Sequence, residues 1–536
     1  MKVYSFEPFG YEGSLFNVEV DLRRGIPAID IVGLSDAKVG ETCRTMREAL
    51  KASGLDYPME RVLVSLSPAD LRKRATDYVF PLALAVLDQK QKEAELPSGA
   101  AGFIDEPVLA IGTLESDGKL TPMRINYGCC GAYAAAQSAK AAGIEHIICC
   151  PEDAKELSKI PGLKVAVAGS LSEAASAARD PERFAGTSPE QEKQNGVQFN
   201  ETLKKEKLWD MTGLYKTARA VEVAVAGKHG LSLVGAPGCG KTAVIQSLVP
   251  YLTPKLTDEE VPSVRRIHSI AGLSRYENDM DFNVPAFRIP HQTASIEGIF
   301  GGGVHCLPGE ISLAHNGTLF LDEAAEFKAS VLQLLSAPLR KNGMGGTINL
   351  SRAGRTTVFP AKFQLMMARN PCPCGCYGSH DKLCLDSEKS IDAYTMKVSP
   401  AERFCAVRDF VEKDESDKRV FDPEAARKRI ARAYEIQRAR GKFNNDLTAE
   451  EMRSLCVLGN KENAFFEKSV SDSALSREEA EDMLRVSLTI ANMDGREKIR
   501  LRDLKEAHNM VLKPLEQKEK SVPLENEKRK EAGISR

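Results

Sequence analysis

The stretch LSLVGAPGCGKTAVIQSLV, residues 231–249, restricts what this chain can fold into more than any other segment. Leu231 to Val234 read as a buried strand, and Gly235, Gly238 and Gly240 as a tight loop. Thr242 then opens a helix. Gly235-Ala236-Pro237-Gly238-Cys239-Gly240-Lys241-Thr242 is the G-x-x-x-x-G-K-[ST] pattern in the strand–loop–helix setting that gives the pattern its meaning. Backbone N–H groups of such a loop, with the helix N-terminus behind them, cradle phosphate oxygens. Lys241 is expected on the β and γ phosphates and the Thr242 hydroxyl on Mg²⁺, so ATP and Mg²⁺ are the expected cofactors. The plain alternative, a chance glycine-rich turn, leaves both the strand and the helix unexplained.

Two further segments complete a pocket. In GTLFLDEAAEF, Leu319 to Leu321 form a short apolar strand that delivers Asp322 and Glu323 at its carboxyl end, where α/β sheets bind ligands. An aspartate there holds Mg²⁺, and a glutamate beside it polarises the attacking water. The alternative is two acids capping a helix N-terminus. FQLMMARNPCPCG supplies a third strand ending at Asn370, whose amide is expected to orient water against the γ phosphate. Asn before Pro is also an ordinary turn former.

With 536 residues the chain exceeds the roughly 100–200 residues of one domain. Residues 1–180 alternate strands (VEVDL, IDIVGL, VLVSLS, VLAIGTL) with helices (DAKVGETCRTMREALKASG, GAYAAAQSAKAAG), so a compact α/β domain is expected. Residues 181–207 are polar and aperiodic and read as a linker. A second α/β region spans 208–410, a charged helical region 411–512, and a charged tail 513–536. The formal net charge of −2 confines any nucleic-acid contact to a local basic surface. The longest apolar run, Val79 to Leu87, has nine residues against the about 20 needed to span a bilayer. No membrane association and a cytoplasmic location are therefore expected. Of the 13 cysteines, Cys129–Cys130 and Cys149–Cys150 sit in apolar surroundings and read as small hydrophobes.

The chain resembles the magnesium-chelatase-like AAA+ ATPases, specifically the YifB/ComM competence-protein family. GIPAIDIVGLSDAKVGET, VLVSLSPADLRK and IGTLESDGKL resemble its Lon-protease-like, ribosomal-S5-type N-terminal domain. FRIPHQTAS, GGGVHCLPGEISLAHNGTLFLDEAAEF and ARNPCPCG resemble its motor, and LRVSLTIANMDG its helical lid. The resemblance implies a ring, a hexamer, with ATP at each subunit boundary. Members called ComM are implicated in DNA branch migration during natural transformation, whereas chelatase relatives drive metal insertion into porphyrin. The expected function is thus an ATP hydrolase whose ring remodels single-stranded or branched DNA. The alternatives are a chelatase-type motor acting on a partner protein and a weakly active ATP-dependent scaffold. SPAERFCAV aligns with the family's arginine-finger segment and retains Arg403, although its neighbours differ. In the lid, Glu478 stands where a second sensor arginine is expected, with Arg477 one residue earlier. The paired Ser and Lys of a Lon-type protease are missing from the first domain.

Two clusters remain. Cys372, Cys374, Cys376 and Cys384, with His380 and Asp386 nearby, supply enough ligands for Zn²⁺, though C-x-C-x-C is tighter than the usual zinc spacing. The family's two C-x-C pairs place Asp386 at the last cysteine, with Cys376 as its substitute. A reduced, metal-free loop is the alternative. Between Ala425 and Lys442, Arg427, Lys428, Arg429, Arg432, Arg438, Arg440 and Lys442 make either a phosphate-contacting helix or a solvated lid helix with Ile430, Tyr434 and Ile436 inward.

Overall fold

The computed structural model describes residues 1–26, 28–32, 36–67, 78–93, 102–123, 131–187, 196–203, 208, 211–273, 281–340, 345–352, 355–378, 383–414 and 416–512. Its architecture is mixed α/β, with a parallel sheet in the motor and helices at the C-terminus.

The N-terminal part is built on an eight-stranded sheet. Its order in space is Ala185–Gly186, Lys164–Val167, His146–Cys149, Pro107–Ala110, Lys2–Glu7, Ser14–Arg23, Arg61–Ser67 and Ile29–Val32. Arg61–Ser67 buries Val62, Val64 and Leu66 and leaves the residues between them facing out, the period-two pattern of a sheet with one covered face. Val79–Leu87 is the buried part of helix Val79–Glu93, and its Asp88 accepts both the N-terminal ammonium at 3.4 Å and Lys92 at 2.8 Å. Among the described residues no helix is long and apolar enough to cross a membrane.

Two features depart from the sequence reading. Lys2–Glu7 and Lys164–Val167 are strands that were not expected, both filling places beside stronger strands. The segment read as a linker is anchored at both ends. Ala185 and Gly186 pair with Val165 and Lys164, while Phe199 bridges Pro254 and, with Val197 and Leu203, packs on the motor core. A two-residue strand has no periodicity to read, because the neighbouring edge supplies its hydrogen bonds. Residues 188–195 and 204–207 and the tail from 513 lie outside the described residues.

The motor sheet has five strands, all parallel, in the order Phe287–Arg288, Thr318–Leu321, Gln364–Arg369, Leu231–Val234 and Val407–Phe410. Counted along the chain this is 2-3-4-1-5. The three central strands are buried at every position, as parallel strands covered on both faces must be. Helix Tyr215–Gly227 packs on this sheet. The C-terminal helices Pro423–Ala439, Ala449–Leu455, Arg477–Met493 and Leu501–Val511 share its hydrophobic core. A β-carbon on Gly227 would lie 2.2 Å from His229 Nε2 and 2.6 Å from Thr489 Oγ1, so glycine leaves room for the His229 ring and for helix Arg477–Met493 beside it. Inside the junction, the wholly buried Glu222 receives Arg429 Nε at 2.6 Å and Arg219 Nη1 at 3.0 Å.

Removing a buried carboxylate strands its cationic partners, at about 3–5 kcal/mol for a fully buried pair. Arg429 keeps 31% of its side chain exposed, so Glu222→Ala is expected near the lower end of that range. Urea unfolding followed by circular dichroism measures it, and an unchanged midpoint would show that this junction contributes nothing to stability.

Candidate functional site

The phosphate loop leaves the carboxyl end of Leu231–Val234 and turns back through Gly238 and Gly240, whose φ values of 80° and 98° suit glycine. A β-carbon on Gly235 would lie 2.6 Å from Val411 O, so the loop is pressed against the end of the neighbouring strand. Helix Lys241–Leu252 follows, aiming its first N–H groups into the loop. Lys241 is buried, and its Nζ donates to the carbonyls of Gly235 (2.7 Å) and Ala236 (2.9 Å) and to Asn370 Oδ1 (3.3 Å). Burial pulls this ammonium below the ordinary lysine range, opposed by Cys239, Asp322 and Glu323. A phosphate oxygen is a stronger acceptor than these neutral carbonyls, so an incoming triphosphate competes well for the ammonium.

Strand register brings the remaining groups to this point. Val234 pairs with Arg369 and Leu321 with Met367, so Gly235, Asn370 and Asp322 all emerge along one sheet edge. Thr242 Oγ1 lies 2.8 Å from Asp322 Oδ1. A hydroxyl and a carboxylate converging beside a phosphate loop are hard oxygen donors, which fits Mg²⁺. Glu323 is exposed and sits at φ 49°, in the left-handed region that residues with a β-carbon seldom adopt. Such a conformation is characteristic of sites where geometry matters more than local comfort.

What holds Asn370 in place comes from distant parts of the chain through its neighbour Arg369. Arg369 is buried and forms two hydrogen bonds with the Glu402 carboxylate, at 3.0 and 3.1 Å. It also donates from Nη1 to the Asn370 carbonyl at 3.2 Å. Ser232 Oγ donates to Glu402 Oε1 at 2.6 Å. These bonds tie the phosphate-loop strand, the Asn370 strand and the end of helix Glu388–Glu402 together. The one available signal was an arginine inside the apolar run FQLMMAR.

Arg403 caps that helix and is exposed, its guanidinium 4.8 Å from the Phe404 ring centroid. Arg477 begins helix Arg477–Met493, is 80% exposed, and pairs with Glu481 at 3.2 Å. The lid arginine that is buried is Arg485, bonded to Asp482 at 2.7 Å and to the Leu447 carbonyl.

The basic helix is largely committed to the interior. Arg427 stacks 3.5 Å above the Tyr251 ring and donates to the Tyr251 and Asn200 carbonyls. Arg429 serves Glu222, Arg438 the Lys255 carbonyl, Arg440 Asn444, and Lys442 Glu451. Lys428 and Arg432 are the exposed basic residues of helix Pro423–Ala439. The sequence spacing showed seven cations, but long arginine stems fold back onto neighbouring helices.

The cysteine loop corrects the expected ligand set. Cys372, Cys374, Cys384 and Asp386 place their ligand atoms within 4.8 Å of one another. Cys376 stands outside the group, directed at the Cys374 carbonyl (Sγ···O 3.5 Å), and Asp386 takes its place. The backbone N–H of Cys374 fixes the Asp386 carboxylate at 2.8 Å. His380 lies outside the described residues.

Known families match along most of this architecture. The family described as "Magnesium chelatase, subunit ChlI" matches residues 207–404. "Subunit ChlI of Mg-chelatase" matches 18–153, and "Magnesium chelatase, subunit ChlI C-terminal" matches 422–510. Competence protein ComM of Haemophilus influenzae is 32% identical over 518 residues, covering 93% of this chain and 94% of ComM. Protein YifB of Escherichia coli is 30% identical over 517 residues, covering 94% and 96%. An uncharacterized Mycobacterium tuberculosis protein is 34% identical over 395 residues, 72% of each chain. With the nucleotide-loop geometry above, these likenesses place the chain in the magnesium-chelatase-like AAA+ ATPase family of ComM and YifB.

Proposed function

We propose that the chain is an ATP-driven ring motor that remodels DNA, with branch migration or a helicase-like step in recombination or natural transformation as its work. The observation that carries the hydrolytic half is the convergence of Lys241, Thr242, Asp322 and Asn370 at one sheet edge, with the exposed Glu323 next in the chain. Likeness to a protein named for competence, across nearly the whole chain, supports the DNA half.

In this reading Gly235 to Thr242 wrap the phosphates, and Lys241 exchanges its loop carbonyls for β and γ oxygens. Thr242 and Asp322 hold Mg²⁺, which when bound neutralises developing phosphate charge. Glu323 accepts a proton from the attacking water, and Asn370 orients that water. Arg403, exposed at the end of its helix, reaches a neighbouring subunit's nucleotide, so the pocket is completed by assembly into a homo-hexamer. The Arg369–Glu402 pair then links Asn370 of one pocket to Arg403 facing the next.

Lys241→Ala is expected to abolish detectable binding of a fluorescent ATP analogue. Glu323→Gln should bind it normally and lose about 10²–10⁴-fold in turnover, the usual worth of a positioned base. Unimpaired turnover by Glu323→Gln would remove its water-activating role.

Assembly makes a separate prediction. With ATP, the Glu323→Gln protein should sediment as a ring, and Arg403→Ala should lower kcat far more than nucleotide affinity. A monomer at micromolar concentration with ATP would overturn the trans arrangement.

The DNA reading predicts that junction and single-stranded DNA raise the ATPase rate. Binding should weaken steeply with salt, with little sequence preference. Fluorescence anisotropy at two salt concentrations measures this. Lys428→Gln with Arg432→Gln serves as the surface control, since Arg427 and Arg429 are structural. Absence of binding by the assembled ring at low salt would leave the chelatase-type motor or the ATP-dependent scaffold. Binding that survives the control variant would move the contact to pore-facing loops of the motor.

A further inference from the structure

The loop after Asn370 gathers four side chains able to hold a metal ion, and it lies against the nucleotide pocket. Cys372, Cys374 and Cys384 hold their sulfur atoms 3.4, 3.6 and 3.7 Å apart. These separations are far too long for disulfides. Three thiolates at about 2.3 Å from a tetrahedral Zn²⁺ stand about 3.8 Å from one another, and a carboxylate oxygen on the same ion about 3.5 Å from each sulfur. Asp386 Oδ2 lies 3.9 Å from Cys384 Sγ, and all four ligand atoms lie within 4.8 Å of one another, which suits the carboxylate as a fourth ligand. The surrounding backbone is arranged for charged ligands as well. The Tyr377 N–H donates to Cys372 Sγ at 3.3 Å, and the Cys374 N–H orients Asp386. Backbone donors of this kind fix ligands around a metal and are part of its site. A donor set of three sulfurs and one oxygen favours zinc over the ions that take all-oxygen, octahedral sites.

Between the ligands lies Gly375, at φ 76°. A β-carbon there would sit 2.6 Å from Pro237 Cδ, in the middle of the phosphate loop, and 3.9 Å from Asn370 Cγ. The cysteine loop therefore rests directly on the nucleotide pocket, touching the loop that wraps phosphate beside the residue that orients water.

We propose that Cys372, Cys374, Cys384 and Asp386 bind one Zn²⁺, their three thiols releasing protons to solvent, and that the metal clamps Gly375 against Pro237 to hold the phosphate loop in its binding shape. The metal site stands without any nucleotide. The clamp rests on the ATP-binding reading above.

The test starts from full-length protein purified without chelators. Metal analysis should return one equivalent of zinc, whereas less than about 0.2 equivalents would overturn the site, since structural zinc stays bound at neutral pH. Cys376→Ser should keep the metal. Cys374→Ser and Asp386→Ala should weaken zinc affinity by at least about tenfold, measured by chelator competition. Asp386→Cys should retain it. Loss of zinc in Cys376→Ser together with retention in Asp386→Ala would overturn this ligand set. Replacing zinc with Co²⁺ provides a readout independent of activity, with sulfur-to-cobalt charge transfer and intense tetrahedral bands expected. Weak octahedral bands would contradict the arrangement.

For the clamp, a fluorescent ATP analogue should bind several-fold more weakly to chelated protein, and recover when zinc is restored. Gly375→Ala should keep zinc while losing nucleotide affinity. Equal affinity in all three forms would overturn the clamp. A zinc-loaded wild type that binds no nucleotide would instead overturn the ATPase reading and leave the metal site intact.

Discussion

The register of the central parallel strands is the constraint from which the pocket follows. Gly235, Asp322 and Asn370 each follow the last residue of a different strand, so their places are set by how those strands pair and not by their own neighbours in sequence. Leu231–Val234 lies between Gln364–Arg369 and Val407–Phe410, and Thr318–Leu321 lies on the far side of Gln364–Arg369. That order puts Asn370 between the phosphate loop and the acidic pair. A slip of one residue would turn every side chain of a strand to the opposite face, and would take Ser232 or Arg369 away from Glu402. These buried polar bonds therefore hold the register on which the pocket depends.

Several polar groups buried near this edge take their partners from distant parts of the chain. Glu402 joins Arg369 and Ser232, while Thr217 Oγ1 donates to Asp409 at 2.7 Å. Glu222 binds the lid through Arg429. An unpaired charge in these positions would be costly, so each pair restricts how its elements meet. The same logic draws Arg427, Arg429 and Arg438 of the basic helix from the surface, since they bond to a carboxylate and to carbonyls of the motor.

The N-terminal sheet domain is fastened to the motor by the turn between its first two strands. Arg266, buried on helix Val261–Ala271, donates to the carbonyls of Tyr11 at 2.7 Å and Glu12 at 2.8 Å and to Ser138 Oγ at 2.9 Å. The Tyr11 N–H reaches Thr357 Oγ1 at 3.0 Å on the hairpin Thr347–Arg352 and Arg355–Pro360, and Arg355 lies 3.7 Å over the Phe9 ring. That hairpin leads directly into the Asn370 strand, so a displacement of the N-terminal domain has a short covalent path to the pocket.

Local chemistry is what the sequence by itself determined. The phosphate loop needs glycines at Gly238 and Gly240 and a lysine after them, and an apolar strand ending in two acids has few other uses. These signals act over ten residues and survive without knowledge of the rest of the fold. The apolar periodicity likewise specified the strand at Arg61–Ser67 and the helix ending before Gly54, whose φ of 67° marks the stop. Tertiary structure alone decided which distant groups meet. Asp386, and not Cys376, groups with the sulfurs of Cys372, Cys374 and Cys384 because loop closure sets those positions. Arg369 found Glu402 across thirty-three residues. The basic helix turned inward because Glu222 lay opposite Arg429. The short strand at Ala185–Gly186 formed because a sheet edge was there to pair with it. Each of these depends on long-range packing, in which the favourable partner is supplied by another element and leaves no trace in the local sequence.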